Sequence, residues 1–156
     1  MINNDVLRQL RYALKLNDKQ MLAIFQLMDY EIDEKHLHHI MLKEEESGFV
    51  MCRDSVMSLF LDGLIIHYRG RQEGQEPPPV MKKITKNDIL RKLRIALEFK
   101  AEDMLDVLAL VDFRLSKPEL SAFFRKPGHR NYKECGDQVL RNFIAGLVKR
   151  NRTDKT

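Results

Sequence analysis

Leu7, Leu10 and Leu14 recur at i, i+3 and i+7 with Ala13 beside them. That apolar stripe predicts an amphipathic helix starting after Asn4. A second helix is expected from about Asn17-Asp18, with Met21, Leu22, Phe25 and Met28 as its buried face. Asp33 is a good N-cap for a third. Cys52, Val56, Leu59, Phe60, Gly63 and Leu64 then fall on one face of a fourth, which opens on Asp54 as its cap. Lys43–Phe49, polar and carrying Gly48, reads as the loop before it.

The same pattern returns 83 residues later without a gap. Asn4-Asp5-Val6-Leu7-Arg8-Gln9-Leu10-Arg11 reappears as Asn87-Asp88-Ile89-Leu90-Arg91-Lys92-Leu93-Arg94. Met21-Leu22 meets Met104-Leu105, Asp29 meets Asp112, Cys52 and Asp54 meet Cys135 and Asp137, and Gly63-Leu64 meets Gly146-Leu147. Roughly thirty per cent of paired positions are identical, which marks an internal duplication. In the second copy Met104, Leu105, Leu108 and Val111 form the second helix face, and Ser116-Lys117-Pro118-Glu119 opens the third helix. The expected fold is all-α: two tandem pseudo-symmetric four-helix repeats over residues 1–70 and 85–152. A Pro-rich linker at 71–84 joins them, and a polar tail follows at 153–156. A repeat of this size is marginal alone, so the copies are expected to share apolar surface.

Two repeated features call for a cause. Glycine inside a helix costs about 1 kcal/mol against alanine, yet Gly63 and Gly146 both sit on the apolar stripe. Close helix approach is the expected reason, either between the two fourth helices or between each and its own first helix. Asp29 and Asp112 lie where a helix C-terminus disfavours negative charge. Arg8, Arg11, Arg91 and Arg94 are the expected partners.

Composition changes little in this picture. The chain of 156 residues is 44% hydrophobic and 32% charged, with no tryptophan. No apolar run approaches the length of a membrane helix and the N-terminus does not resemble a signal peptide, so a cytoplasmic protein with reduced thiols is expected. Charge changes more. Residues 1–84 carry 11 Lys/Arg against 13 Asp/Glu, and residues 85–156 carry 16 against 10. The inversion is sharpest in the loops before the fourth helices: Lys43-Glu44-Glu45-Glu46-Ser47-Gly48-Phe49 against Lys126-Pro127-Gly128-His129-Arg130-Asn131-Tyr132.

Candidate chemistry is sparse. Cys52 and Cys135 precede helix starts, where a dipole can activate a thiolate, but His67 and His129, the available bases, lack counterparts in the other copy. Buried structural thiols are the expected reading. His36 and His39 share a helix face and His38 does not, an incomplete zinc set. Phosphate-loop, His-Glu-x-x-His, Cys-x-x-Cys and Gly-x-Ser-x-Gly motifs are missing. The expectation is therefore no catalytic residue, no metal and no cofactor. What stands out is the basic segment of Arg125, Lys126, His129, Arg130, Tyr132 and Lys133, with Arg141, Lys149, Arg150 and Arg152 downstream. It suits a protein partner, a second copy of the chain, or Glu44-Glu45-Glu46 of the chain's own first repeat. The alternative is a nucleic acid, gripped at its phosphates and stacked on the tyrosine. The second and third helices also match helix-turn-helix proportions.

Asn87-Asp88-x-Leu90-Arg91-Lys92-Leu93-Arg94-Ile95-Ala96, Glu134-Cys135-Gly136-Asp137-Gln138 and Phe143-x-x-Gly146-Leu147, with their first-copy counterparts, resemble the bacterial YehS-like family of unknown function. The resemblance spans nearly the whole chain. It implies a two-copy helical protein and brings no activity, cofactor or catalytic residue. The expected role is a non-enzymatic protein-interaction or regulatory module.

Overall fold

A computed structural model of the chain describes residues 1–152 apart from Gln72, Glu73, Gln75 and Pro77. Those linker positions and the expected tail at 153–156 lie outside the described residues. The chain forms α1 (Asn3–Ala13), α2 (Asp18–Gln26), α3 (Glu34–Ile40), α4 (Asp54–Arg69), α5 (Lys86–Leu97), α6 (Ala101–Ala109), α7 (Lys117–Phe123) and α8 (Asp137–Arg152). Among the described residues there is no strand. Two compact units result, Met1–Ile84 and the chain from Thr85 onward, and the described residues of each form four helices in the same order. The expected all-α duplication is what the chain adopts.

Most helix starts are written in side chains. Asn17 and Gln20 cap α2 reciprocally at 2.8 and 2.9 Å, and Thr85 with Asp88 does the same for α5. Ser116 and Glu119 cap α7, with Pro118 in its first turn, and the Asp33 carboxylate takes the His36 N–H at 2.7 Å. Asp54 behaves otherwise. It is the first helical residue of α4, after Arg53. Its carboxylate accepts the Asn3 amide at 2.7 Å and the Ile84 N–H at 3.1 Å. So it ties the start of α1 and the end of the linker to α4 instead of capping it. Asp137 likewise opens α8 as a helical residue. The Met81 N–H also reaches Ser58 Oγ at 3.2 Å, so the last part of the linker belongs to the first unit.

The expected crossing partners of the glycines are wrong. In each unit the fourth helix packs chiefly on the second: α4 on α2, α8 on α6. A Cβ on Gly63 would fall inside the contact distance of the Ile24 carbonyl oxygen, and one on Gly146 would meet that of Val107. Backbone lies against backbone at these two points, which only glycine allows. The buried face of the second helix differs from expectation for the same reason. Met21, Ile24 and Phe25 are buried in α2, and Met104, Val107 and Leu108 in α6, whereas Leu22, Met28, Leu105 and Val111 are half-buried. Ile24 and Val107 turn toward the fourth helix, and the glycine there makes room for them.

Asp29 and Asp112 have a backbone cause. Their φ angles are 56° and 57°, in the left-handed region. Each is the residue after which the chain leaves the second helix, and the next N–H closes back onto the last turn: Tyr30 to Phe25 O at 3.2 Å, Phe113 to Leu108 O at 3.0 Å. This is a Schellman-type ending, where aspartate is among the better-tolerated non-glycine residues. Lys15 and Glu98 end the first helices in the same way, with Leu16 bonding to Arg11 O and Phe99 to Arg94 O at 3.0 Å.

Asn4 and Asn87 complete each unit. Fully buried Asn4 donates to Ile40 O at 2.9 Å and Val50 O at 2.8 Å, and accepts the Cys52 N–H at 2.9 Å. Asn87 repeats this with Phe123 O at 3.0 Å, Lys133 O at 2.9 Å and the Cys135 N–H at 2.8 Å. One side chain thus fastens the first helix to the end of the third, to the loop and to the entry of the fourth.

The glycine contacts yield a stability test. Gly63→Ala and Gly146→Ala should each cost about 2 kcal/mol or more, because backbone must move. Gly136→Ala, with open space around its Cβ direction, should stay within about 0.5 kcal/mol of wild type. Urea denaturation of the three variants measures both.

Candidate functional site

The second unit carries a groove of about 730 Å³ between α7 and the segment that follows it. One wall is the exposed face of α7, with Lys117 and Ser121 one turn apart and Arg125 just past the helix end, while Leu120 and Phe123 anchor the other face of the helix in the core. The other wall is the chain from Arg130 to Lys133. Backbone hydrogen bonds give that wall its course: His129 N–H to Lys126 O at 3.0 Å, Tyr132 N–H to His129 O at 2.9 Å, Lys133 N–H to Ala122 O at 3.1 Å. The Asn87 amide then holds Lys133 O. A second groove of about 500 Å³ shares Ser121 and Arg125 with the first and adds Arg94, Phe124, Lys126 and His129.

All six residues singled out in the basic segment line one groove or the other. Arg125, Lys126, Arg130 and Lys133 are exposed, and Tyr132 is half-buried at the rim. The one carboxylate among the residues lining the first groove, Glu119, accepts the Ser116 N–H at 3.0 Å, which holds its pKa below the usual glutamate range. Lys117 forms an exposed ion pair with Glu102 at 2.6 Å. His129 takes the Asn131 N–H on Nδ1 at 3.0 Å, so its ring shapes the loop. Arg94 donates to Phe99 O at 3.2 Å and lies 4.8 Å over the Phe124 ring. Sequence reasoning missed the α7 wall, with Lys117, Pro118, Ser121 and Ala122. The spacing of Lys117, Ser121 and Arg125 was its available signal.

Two of the downstream cations go elsewhere within the unit. Lys149 donates to Leu110 O at 3.0 Å and Arg150 stacks 4.8 Å over Phe99. In the first unit the positions equivalent to Lys117, Arg125, Arg130 and Lys133 are Glu34, Leu42, Ser47 and Val50. The fold builds the same frame twice and makes it basic once.

The paired arginines do not meet Asp29 or Asp112. Arg8 donates to Asp5 at 2.7 Å and to Leu42 O at 3.4 Å, and Arg11 to Asp18 at 2.7 Å. Arg91 donates to Phe124 O at 3.3 Å. They tie first helices to the loop after the third helix or to the second. A seven-residue α3 and α7, with residues 27–33 between α2 and α3, also depart from a helix-turn-helix, whose turn has about three or four residues.

Cys52 and Cys135 are 2% and 5% exposed. Burial pushes their thiols up to about 12 and about 11, opposite to the direction an activated nucleophile needs. Among the described residues no group of three or more His, Cys, Asp or Glu side chains is placed to hold a metal, and no helix is long and apolar enough to cross a membrane.

Fold and site together define a duplicated four-helix protein with a basic groove on its second unit. The chain belongs to the family described as "Protein of unknown function (DUF1456)", which matches it twice, over residues 3–70 and 86–153, one match per unit. It is 41% identical over 155 residues to "Uncharacterized protein YehS" of Escherichia coli (strain K12), covering 99% of each chain. No solved structure matches it.

The thiol environment gives a pH prediction. Above the ordinary thiol value of 9.0 the unfolded chain releases thiol protons that the folded chain keeps until about 11 and 12. The unfolded state then binds fewer protons, so stability should fall as pH rises through 9.0. The fall should be shallower in C52A/C135A, read from urea midpoints across that range. An equal slope in both proteins would show that the thiols are not protected.

Proposed function

We propose that the chain is a non-enzymatic interaction module of the cytoplasm that holds an acidic protein segment in the groove of the second repeat. One observation supports this: exposed Arg125, Arg130 and Lys133 converge on a preformed groove where the Glu119 carboxylate is engaged by its own helix cap. A groove of net positive charge raises the local concentration of acidic partners and speeds their capture. Its walls are held by backbone bonds and the buried asparagine, so binding orders little that is not already ordered. A regulatory role follows if occupancy by one acidic segment excludes another.

Tyr132 favours a second reading. An aromatic at the rim of a cationic groove also suits a single-stranded nucleic acid, with the base stacked and the phosphates held by the arginines. The short α7 and the departure from helix-turn-helix geometry weigh against duplex readout of the usual kind.

Fluorescence anisotropy with a labelled Glu-rich peptide and with single-stranded RNA and DNA, across a salt series, separates the readings. The peptide should bind in low salt and weaken as salt rises. R130A/K133A should weaken it about tenfold or more. Tighter binding of RNA or DNA, with a steep logarithmic salt slope, would transfer the groove to the second reading. No binding of any probe at low salt would remove it as a contact site.

A further inference from the structure

We infer that the acidic segment taken by this groove is the equivalent loop of another copy of the same chain: Lys43–Phe49 of one molecule docks between α7 and the Arg130–Lys133 wall of the next. The inference rests on the groove being a contact site for acidic protein segments.

Three observations carry it. First, the two loops share one backbone frame. Glu46 N–H bonds to Lys43 O at 3.0 Å and Phe49 N–H to Glu46 O at 3.2 Å, as His129 does to Lys126 O and Tyr132 to His129 O. The acidic loop is therefore ordered before it meets a partner. Glu46 strengthens it by accepting the Lys43 N–H at 2.9 Å, which leaves Glu44 and Glu45 as exposed carboxylates at the turn.

Second, the charges match. Two exposed carboxylates on a narrow turn meet three exposed cations, Arg125, Arg130 and Lys133, on one groove. Arginine forms paired, directional hydrogen bonds with carboxylates, which favours this anion over a diffuse one. Third, the chain as a whole is polarised in the same sense, with an excess of acids before residue 85 and of bases after it.

The contact joins unlike surfaces, so a single contact leaves one loop and one groove of the pair unfilled. A copy that fills a neighbour's groove has used its loop and still offers its own groove, to that neighbour's loop or to a third copy. Association should therefore be weak and salt-sensitive, with average mass rising with concentration.

The test is sedimentation velocity on the full chain at low and high salt. Wild type should show a rising average mass with concentration in low salt and revert to monomer in high salt. E44Q/E45Q removes the loop charge and R125A/R130A removes the groove charge. Each alone should be monomeric, with helix content unchanged by circular dichroism. Mixed in equal amounts they should form a one-to-one heterodimer that grows no further, because only one intact loop and one intact groove remain. Three results would overturn the inference: a wild-type monomer throughout, self-association of either variant by itself, or a mixture that stays monomeric. If the wild type stays monomeric while the Glu-rich peptide still binds the groove, only this inference falls. If the peptide also fails, the groove reading falls with it.

Discussion

Each unit depends on one buried amide. A buried asparagine can donate two hydrogen bonds and accept more, and three backbone groups around Asn4, like three around Asn87, are met by that one side chain. Stranding one buried polar group costs about 1–3 kcal/mol, so losing all three bonds would offset most of what a small repeat can gain by folding. The interaction also fixes geometry. It sets where the third helix ends, how the following loop runs, and where the fourth helix enters. The groove wall at Lys133 is one of the three groups it holds, so the same side chain that closes the core shapes the candidate site.

Around this clamp, the features kept in both copies have structural explanations. The glycines let α4 lie on α2, and α8 on α6, at backbone distance. The aspartates after the second helices sit at left-handed φ. The cysteines fill apolar space beside the clamp. What differs between the copies is the chemistry on the frame. Arg125, Arg130 and Lys133 face solvent where the first copy has Leu42, Ser47 and Val50. The inverted loops then belong to a frame with one acidic and one basic version. That division puts the proposed function in the asymmetry and the fold in the symmetry.

Much of this fold is legible in the amino-acid sequence alone. Periodicity and caps put the helices near their observed starts, because Asn17, Asp33, Thr85 and Ser116 state their role locally. The duplication settles the architecture. Partners distant in sequence are harder to read. An asparagine beside a helix start looks like a cap whether or not it reaches 36 to 48 residues ahead, as Asn4 and Asn87 do. A repeated acid near arginines suggests an ion pair, and nothing in composition reveals that Asp29 and Asp112 are there for φ. The glycines announce close packing without naming the opposing helix, which hinges on whether Ile24 belongs to the α2 stripe. The basic loop is legible as charge, whereas the α7 wall emerges only when the helix face is drawn.

The most direct test of the clamp is native-state hydrogen exchange at the Cys52 and Cys135 amides, which donate to the two asparagines. If the clamp holds each unit together, these protons exchange only through opening of their own unit, with the same free energy as the most protected core amides of α4 and α8. Exchange through a much cheaper local opening would contradict it, showing that the fourth helices keep their entry without the asparagines.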